Sequence, residues 1–188
     1  MSGGKTPGPR DRLIATAITM VQERGVHATG LSDLLQRSAS ARNSIYQHFP
    51  GGKTELMVAV TDAAAAATAR RIDRLAAAGD AAGVVSGLIE RWVTDMEQTD
   101  FGTGCPIAAA SLAGPDEPSI TDAAARAFAL LRDRVAAALT AAGVDPGTAA
   151  TRASFAVSAI EGALLQARAE RSAQPLRDVE AELTRYLS

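Results

Sequence analysis

The sequence predicts an all-α protein of about nine helices, a short three-helix head ahead of a larger helical body. Three observations carry that expectation. Apolar residues recur at i, i+3, i+4 and i+7 in successive stretches, the period of an amphipathic helix. No strand-type alternation stands out, and there is no repeat or heptad run. Finally, 47% of the residues are hydrophobic but only 4% are aromatic, with alanine abundant. Alanine has the best helix propensity and lets helices approach closely.

The elements follow in order. Before Pro9 the chain is rich in Gly and Pro and is expected to be a loose tail. From about Arg10 to Arg24, Ile14, Ala17, Ile18 and Val21 share one helical face, and Gly25 is the expected C-terminal cap. Thr29 can cap a short second helix on which Leu31, Leu34 and Leu35 line one side. The break "SASA" leads to a third helix from about Arg42 to His48, ended by Pro50-Gly51-Gly52. No strong breaker then appears until Gly79, so a helix of about 25 residues, near 37 Å, fits. Helices near 81–99, 106–113, 119–142, 147–171 and 176–187 complete the body. Each is bounded by a Gly- or Pro-containing stop: "DFGTGCP", "GPDEP", "GVDPG" and "SAQP".

Charge is unevenly divided. Residues 1–58 hold seven Lys/Arg against four Asp/Glu, a net +3, while the remainder holds twelve against seventeen, a net −5. A basic head on an acidic body is the pattern expected when only the head meets a polyanion. No apolar run reaches the roughly 18 residues needed to cross a bilayer. The N-terminal "MSGGKTPGPRDR" lacks the apolar segment of a secretory signal. A single Cys excludes an internal disulfide framework. A cytoplasmic protein is expected.

The segment "NSIYQHFPGGK", Asn43 to Lys53, mixes scarce aromatics with polar groups. Helix, short helix, tight break and short helix within some 40 residues form helix-turn-helix geometry, in which the last helix enters the DNA major groove. Ile45 and Phe49 are expected to face inward. The candidate DNA contacts are Thr29, Ser40, Arg42, Asn43, Ser44, Tyr46, Gln47, His48 and Lys53. Arg suits guanine edges, Asn and Gln suit adenine edges, and Ser, Tyr and His reach phosphate oxygens. Lys53 and the N–H groups at the start of the long helix are expected to form an anion site. An ordinary helical hairpin with a solvated polar face satisfies the same spacing.

The run from Arg12 to Leu56 resembles the DNA-binding head of the TetR family of bacterial transcriptional repressors. The matching residues are Leu13, Ile14, Ala17, Gly25, Thr29, Ile45, Tyr46, His48, Phe49, Lys53 and Leu56. "HFPGGK", "GCP" at Gly104 to Pro106 and "EGALLQAR" at Glu161 to Arg168 are similar to a branch related to the lincomycin-resistance repressors. The family usually has Gly in the turn, Ser at the start of the recognition helix and a small Gly within it. Here Ala39, Ala41 and Asn43 stand at those places, with Ser40 as the expected cap. Ala39 would be costly in a left-handed conformation, so a locally different turn is expected.

The resemblance implies a division into a head, residues 8–56 with the helix-turn-helix at about 29–49, and an effector-binding, dimerising body, residues 57–188. It implies a dimer on a palindromic operator, released by a small and hydrophobic effector. The body's few large side chains are the expected lining: Trp92, Met96, Phe101, Phe128 and Phe155, with Cys105, and with Glu161, Gln166 or Arg168 as polar groups. The dimer is expected through the helix at 147–171 and the last helix, using Ala159, Gly162, Ala163, Leu164, Leu165, Ala167, Leu183 and Leu187. Plain core packing is the competing reading for each of these. Cys105, just before Pro106, sits where a helix N-terminus would favour thiolate, which raises a redox switch beside the commoner packing role.

Enzyme chemistry finds little support. Both histidines, His27 and His48, lie in the head, and there is no Glu-x-x-His pair, P-loop or nucleophile elbow. No metal or cofactor is expected. The alternative function is a helical small-molecule-binding or interaction protein without operator binding, for which the altered turn at Ala39 to Ala41 is the only support.

Overall fold

Helix α1 (Pro9–Ala28) opens on proline, whose missing N–H would be unpaired at that position in any residue. The computed structural model describes residues 8–79 and 81–187, so the expected N-terminal tail lies outside the described residues. Leu13, Ile14, Ala17, Met20 and Val21 form the buried face of α1. At Gly25 the backbone turns to φ 80° and ψ 176°, a conformation that only glycine adopts without strain. The regular helix therefore ends at Gly25, as expected, and one further helical turn follows the kink to Ala28. Thr29 is buried and donates its hydroxyl to the Gly25 carbonyl at 2.7 Å. It therefore does not cap the next helix; Gly30 occupies that place.

Helices α2 (Leu31–Arg37) and α3 (Asn43–His48) are joined by a turn through Ala39 at φ 50°. The left-handed conformation is kept despite the side chain, contrary to the expected local change. Ser40 donates to the Ser38 carbonyl at 3.3 Å and does not cap α3, whose N-cap is Arg42 without a side-chain bond. An alanine held left-handed costs about 1–2 kcal/mol, partly offset in a glycine variant by greater unfolded-chain entropy. Ala39→Gly is thus expected to stabilise the chain by about 1 kcal/mol and raise Tm by roughly 2–4 °C in a thermal melt.

The body begins with α4 (Gly52–Ala78), about 40 Å long. It continues through α5 (Ala81–Gln98), α6 (Pro106–Ser111), α7 (Pro118–Ala141), α8 (Pro146–Glu170) and α9 (Gln174–Leu187). Like α1, helices α6, α7 and α8 start on proline. At α8 the Asp145 carboxylate also accepts the Thr148 N–H at 3.0 Å. The most extensive helix pairings are α4 with α7 and α7 with α8, followed by α5 and α8 with α9. Helix α1 packs on α4 and α6, which seats the head on the body. One apolar core runs from Leu13 through Leu187 without interruption between head and body. The described residues contain nine helices and no strand. None of these helices is long and apolar enough to cross a membrane.

Candidate nucleic-acid interface, cavity and subunit face

Helix α3 divides its side chains sharply. Ile45 and Phe49 are fully buried, and the Arg10 guanidinium lies 5.3 Å from the Phe49 ring centroid. On the other side Arg42, Asn43 and Gln47 are exposed, Tyr46 is 62% exposed, and His48 is half-buried. The apolar pair anchors the helix and leaves a polar face of two amide side chains, a guanidinium and a phenol.

Three expected contacts stand elsewhere. Thr29 and Ser44 are buried, because short hydroxyl side chains fit between packed helices as readily as they face water. The Lys53 Nζ donates to the His27 carbonyl at 3.1 Å, at the end of α1. The Glu55 carboxylate meanwhile accepts the Gly51 N–H at 2.7 Å, so the start of α4 already carries a negative group. The expected anion site there is taken by the chain's own Glu55, and Lys53 ties α4 to α1.

Behind this face, Arg24, Arg37, Glu23 and Asp33 form a closed ionic cluster between α1 and α2. Arg24 reaches Asp33 at 2.7 Å, and Arg37 reaches Glu23 at 2.8 Å and Asp33 at 3.4 Å. Each partner is about a third exposed, so the cluster fixes the angle between the helices more than it adds stability.

A cavity of about 370 Å³ lies where α1, α4, α5, α6, α7 and α8 converge. Trp92, Cys105 and Glu161 line it as expected from sequence. The other candidates do not. Met96 is fully buried in the core, and Phe101 and Phe128 are half-buried against the core outside the cavity lining. Gln166 is exposed, and Phe155 is 55% exposed with its ring 5.4 Å from that of Tyr186. Sequence reasoning missed Ile18, Gln22, Ile107, Leu131, Val135 and Ile160 on the walls. The available signal was the alanine run of α4. Ala64 and Ala67 line the cavity, and the space is left by side chains too short to meet those opposite.

Glu161 is the unusual group. Its Oε2 is sealed from solvent and has no protein hydrogen-bond partner. Burial raises its pKa to about 6, and a hydrogen bond with the Cys105 thiol pulls the other way. Burial, and next the Glu161 charge, push the Cys105 thiol well above its usual range. Thiolate is therefore disfavoured, and the redox role raised by its place before Pro106 loses its physical basis.

Glu161 also gives a pH signature. Between pH 4.5 and about 6 the folded chain holds a proton that the unfolded chain has released, so stability falls as pH rises through that window. A carboxyl shifted by this amount corresponds to about 2 kcal/mol. Glu161→Gln is expected to raise urea-unfolding stability by up to about 2 kcal/mol at pH 7 and to leave it unchanged at pH 4.

Arg168, one helical heptad beyond Glu161, does not line this cavity. Its guanidinium donates to the carbonyls of Gln22 at 3.3 Å, Glu23 at 2.5 Å and Gly102 at 3.2 Å. The Gly104 N–H also donates to the Gln22 carbonyl, at 3.0 Å. The break at Gly25 frees the carbonyls of the preceding turn, and a guanidinium from the body satisfies them. A second cavity, about 320 Å³, lies among α1, α6 and α8, and Cys105 and Glu161 line both.

The expected subunit face needs correction. Ala163, Leu164, Ala167, Leu183 and Leu187 are buried within the protomer. With Ala153, Ala156 and Ile160 they form the side of α8 and α9 that packs on the chain's own core. Ala159 and Gly162 are half-buried. Of the expected residues Leu165 faces outward, at 63% exposure, and beside it the same side presents Phe155 and Tyr186, with Arg152 over the Tyr186 ring at 5.1 Å. A Cβ added at Gly162 would meet nothing within 4 Å.

The all-helical architecture, with a helix-turn-helix head seated on a larger helical body, is the one found in the transcriptional regulators that this chain resembles. A family model described as "Bacterial regulatory proteins, tetR family" matches residues 13–60. One described as "Transcriptional regulator LmrA/YxaF-like, C-terminal domain" matches residues 81–182. The chain belongs to the TetR family, with an LmrA/YxaF-like C-terminal domain. It is 38% identical over 187 residues to the uncharacterized HTH-type transcriptional regulator Rv0196 of Mycobacterium tuberculosis, covering 96% of this chain and 94% of that protein. It is 23% identical over 175 residues to the HTH-type transcriptional regulator LmrA of Bacillus subtilis, covering 92% and 93%. Among solved structures, a TetR transcriptional regulator from Legionella pneumophila matches with a TM-score of 0.84 at 22% identity over the full length of both chains. The regulatory protein TetR from Rhodobacter sphaeroides matches with a TM-score of 0.80 at 21% identity, covering 93% and 96%.

Proposed function

We propose that this regulator is a cytoplasmic repressor that binds a palindromic operator as a homodimer and is released when a small hydrophobic effector fills the 370 Å³ cavity. Residues 8–56 serve as the DNA-binding head and residues 57–188 as the effector-binding and dimerising body. The observation that carries the reading is α3, where buried Ile45 and Phe49 hold a short helix whose opposite face offers Arg42, Asn43, Tyr46 and Gln47. That set supplies major-groove donors and acceptors together with phosphate contacts. The outward stripe of Phe155, Leu165 and Tyr186 supports pairing of two copies, and a two-fold dimer places two heads on successive major grooves.

A mobility-shift titration on the DNA upstream of the chain's own gene tests this. Wild type is expected to retard that fragment in preference to unrelated DNA, with affinity falling as salt rises. Arg42→Ala and Gln47→Ala should each weaken the specific complex by about 10- to 100-fold. Equal affinity for unrelated DNA, or no effect of either substitution, would overturn the reading.

A further inference from the structure

The cavity identifies a class of effector by the charge it leaves unanswered. Most of its wall is aliphatic, with Trp92 as the one aromatic ring. Several charged groups line it, and most are already engaged. The Arg91 Nε holds the Asp95 carboxylate at 2.6 Å. Arg71 spends its Nε and Nη2 on the Gly87 carbonyl, at 3.3 and 2.8 Å. Arg74 is exposed at the rim. Arg168, the guanidinium that shares the second cavity with Glu161, is committed to three backbone carbonyls.

Glu161 alone is left without a compensating donor of matching strength. Its Oε2 is buried with no protein partner, and the side chain that hydrogen-bonds it is the weakly donating Cys105 thiol. A carboxylate with an orphaned oxygen, set in a mostly aliphatic wall, is costly until a donor or cation reaches it.

We propose that the cavity takes an amphiphilic cation, an apolar or aromatic body carrying one protonated amine, with the ammonium set against Glu161 and the body among the aliphatic walls beside Trp92. This rests on the reading of the cavity as the effector site. An ammonium supplies the charge-assisted hydrogen bond that the carboxylate lacks, and the burial of Glu161 strengthens it. The preference is a difference of affinities: a neutral alcohol offers Glu161 an uncharged hydrogen bond without answering its charge, and an anion placed there meets a like charge.

The test uses three probes that differ only in the head group. They are a butylamine carrying a terminal para-cyclohexylphenyl group, the corresponding butanol and the corresponding butanoate. Binding is read at pH 7.5 from the emission of Trp92, the chain's single tryptophan, and independently from the rise in Tm. For the wild-type chain the amine is expected to bind at least about tenfold more tightly than the alcohol, with the butanoate weakest. In Glu161→Gln the amine and the alcohol should bind within about threefold of each other, with the alcohol no weaker than in wild type. Alcohol binding equal to or tighter than amine in the wild type, or butanoate binding tightest, overturns the cationic class and leaves the effector site standing. If none of the three changes Trp92 emission or Tm, the effector site and this inference fall together.

Discussion

Phe49→Ala is expected to destabilise the chain by about 3–5 kcal/mol and to abolish specific operator retardation, the usual result of emptying a filled aromatic site in a core. Phe49 is fully buried, its N–H donates to the Ile45 carbonyl at 2.6 Å, and Arg10 covers its ring. Helix α3 is only six residues long, far below the length at which a helix is stable by itself. Its conformation depends on these two anchors, so losing one should release the polar face without touching a side chain proposed to contact DNA. Urea unfolding and the mobility shift check this together. Phe49→Leu should recover most of the stability, and an unaltered unfolding midpoint in Phe49→Ala would contradict the anchoring role.

Arg168→Ala is expected to cost about 2–3 kcal/mol, lowering Tm by roughly 5–10 °C. The guanidinium makes three bonds to carbonyls from two segments, and its removal takes a charged donor from both carbonyls at the break in α1, leaving Gln22 with the Gly104 N–H. Arg168→Lys should rescue little, since an ammonium cannot span three acceptors with the fixed geometry of a planar fork. Because the bonds join α8 to α1, both variants should also weaken operator retardation, through the seating of the head rather than through contact with DNA. A lysine variant with wild-type Tm would show that charge alone suffices.

Much of the fold was legible because glycine and proline mark helix ends by local chemistry. Pro106, Pro118 and Pro146 each open a helix within a residue of its expected start. The inward and outward sides of α3 were legible too, since Ile45 and Phe49 lie four residues apart among polar neighbours. The side of α8 that faces its own core was not. Alanine, glycine and leucine suit either side, so periodicity alone cannot choose between Ala163-Leu164 and Phe155-Leu165. The cavity was half legible: Trp92, Cys105 and Glu161 are distinctive, but the remaining wall is set by six converging helices. The contacts of Arg168 left no mark in the sequence, because their acceptors are backbone carbonyls freed by a distant glycine. Ala39 shows a different limit. Its cost was foreseen, but the surrounding helices impose the left-handed turn regardless.

The closed cluster of Arg24, Arg37, Glu23 and Asp33 bears on how the head searches a genome. Its two guanidiniums answer its two carboxylates, so the head's net +3 is carried by Lys5, Arg10, Arg12, Arg42 and Lys53 against Asp11 and Glu55. On the proposed reading, so small an excess should displace few condensed counterions, and the sequence-independent grip that lets a protein linger on random duplex should be weak. Discrimination is then expected to fall chiefly to the few outward side chains of one six-residue helix.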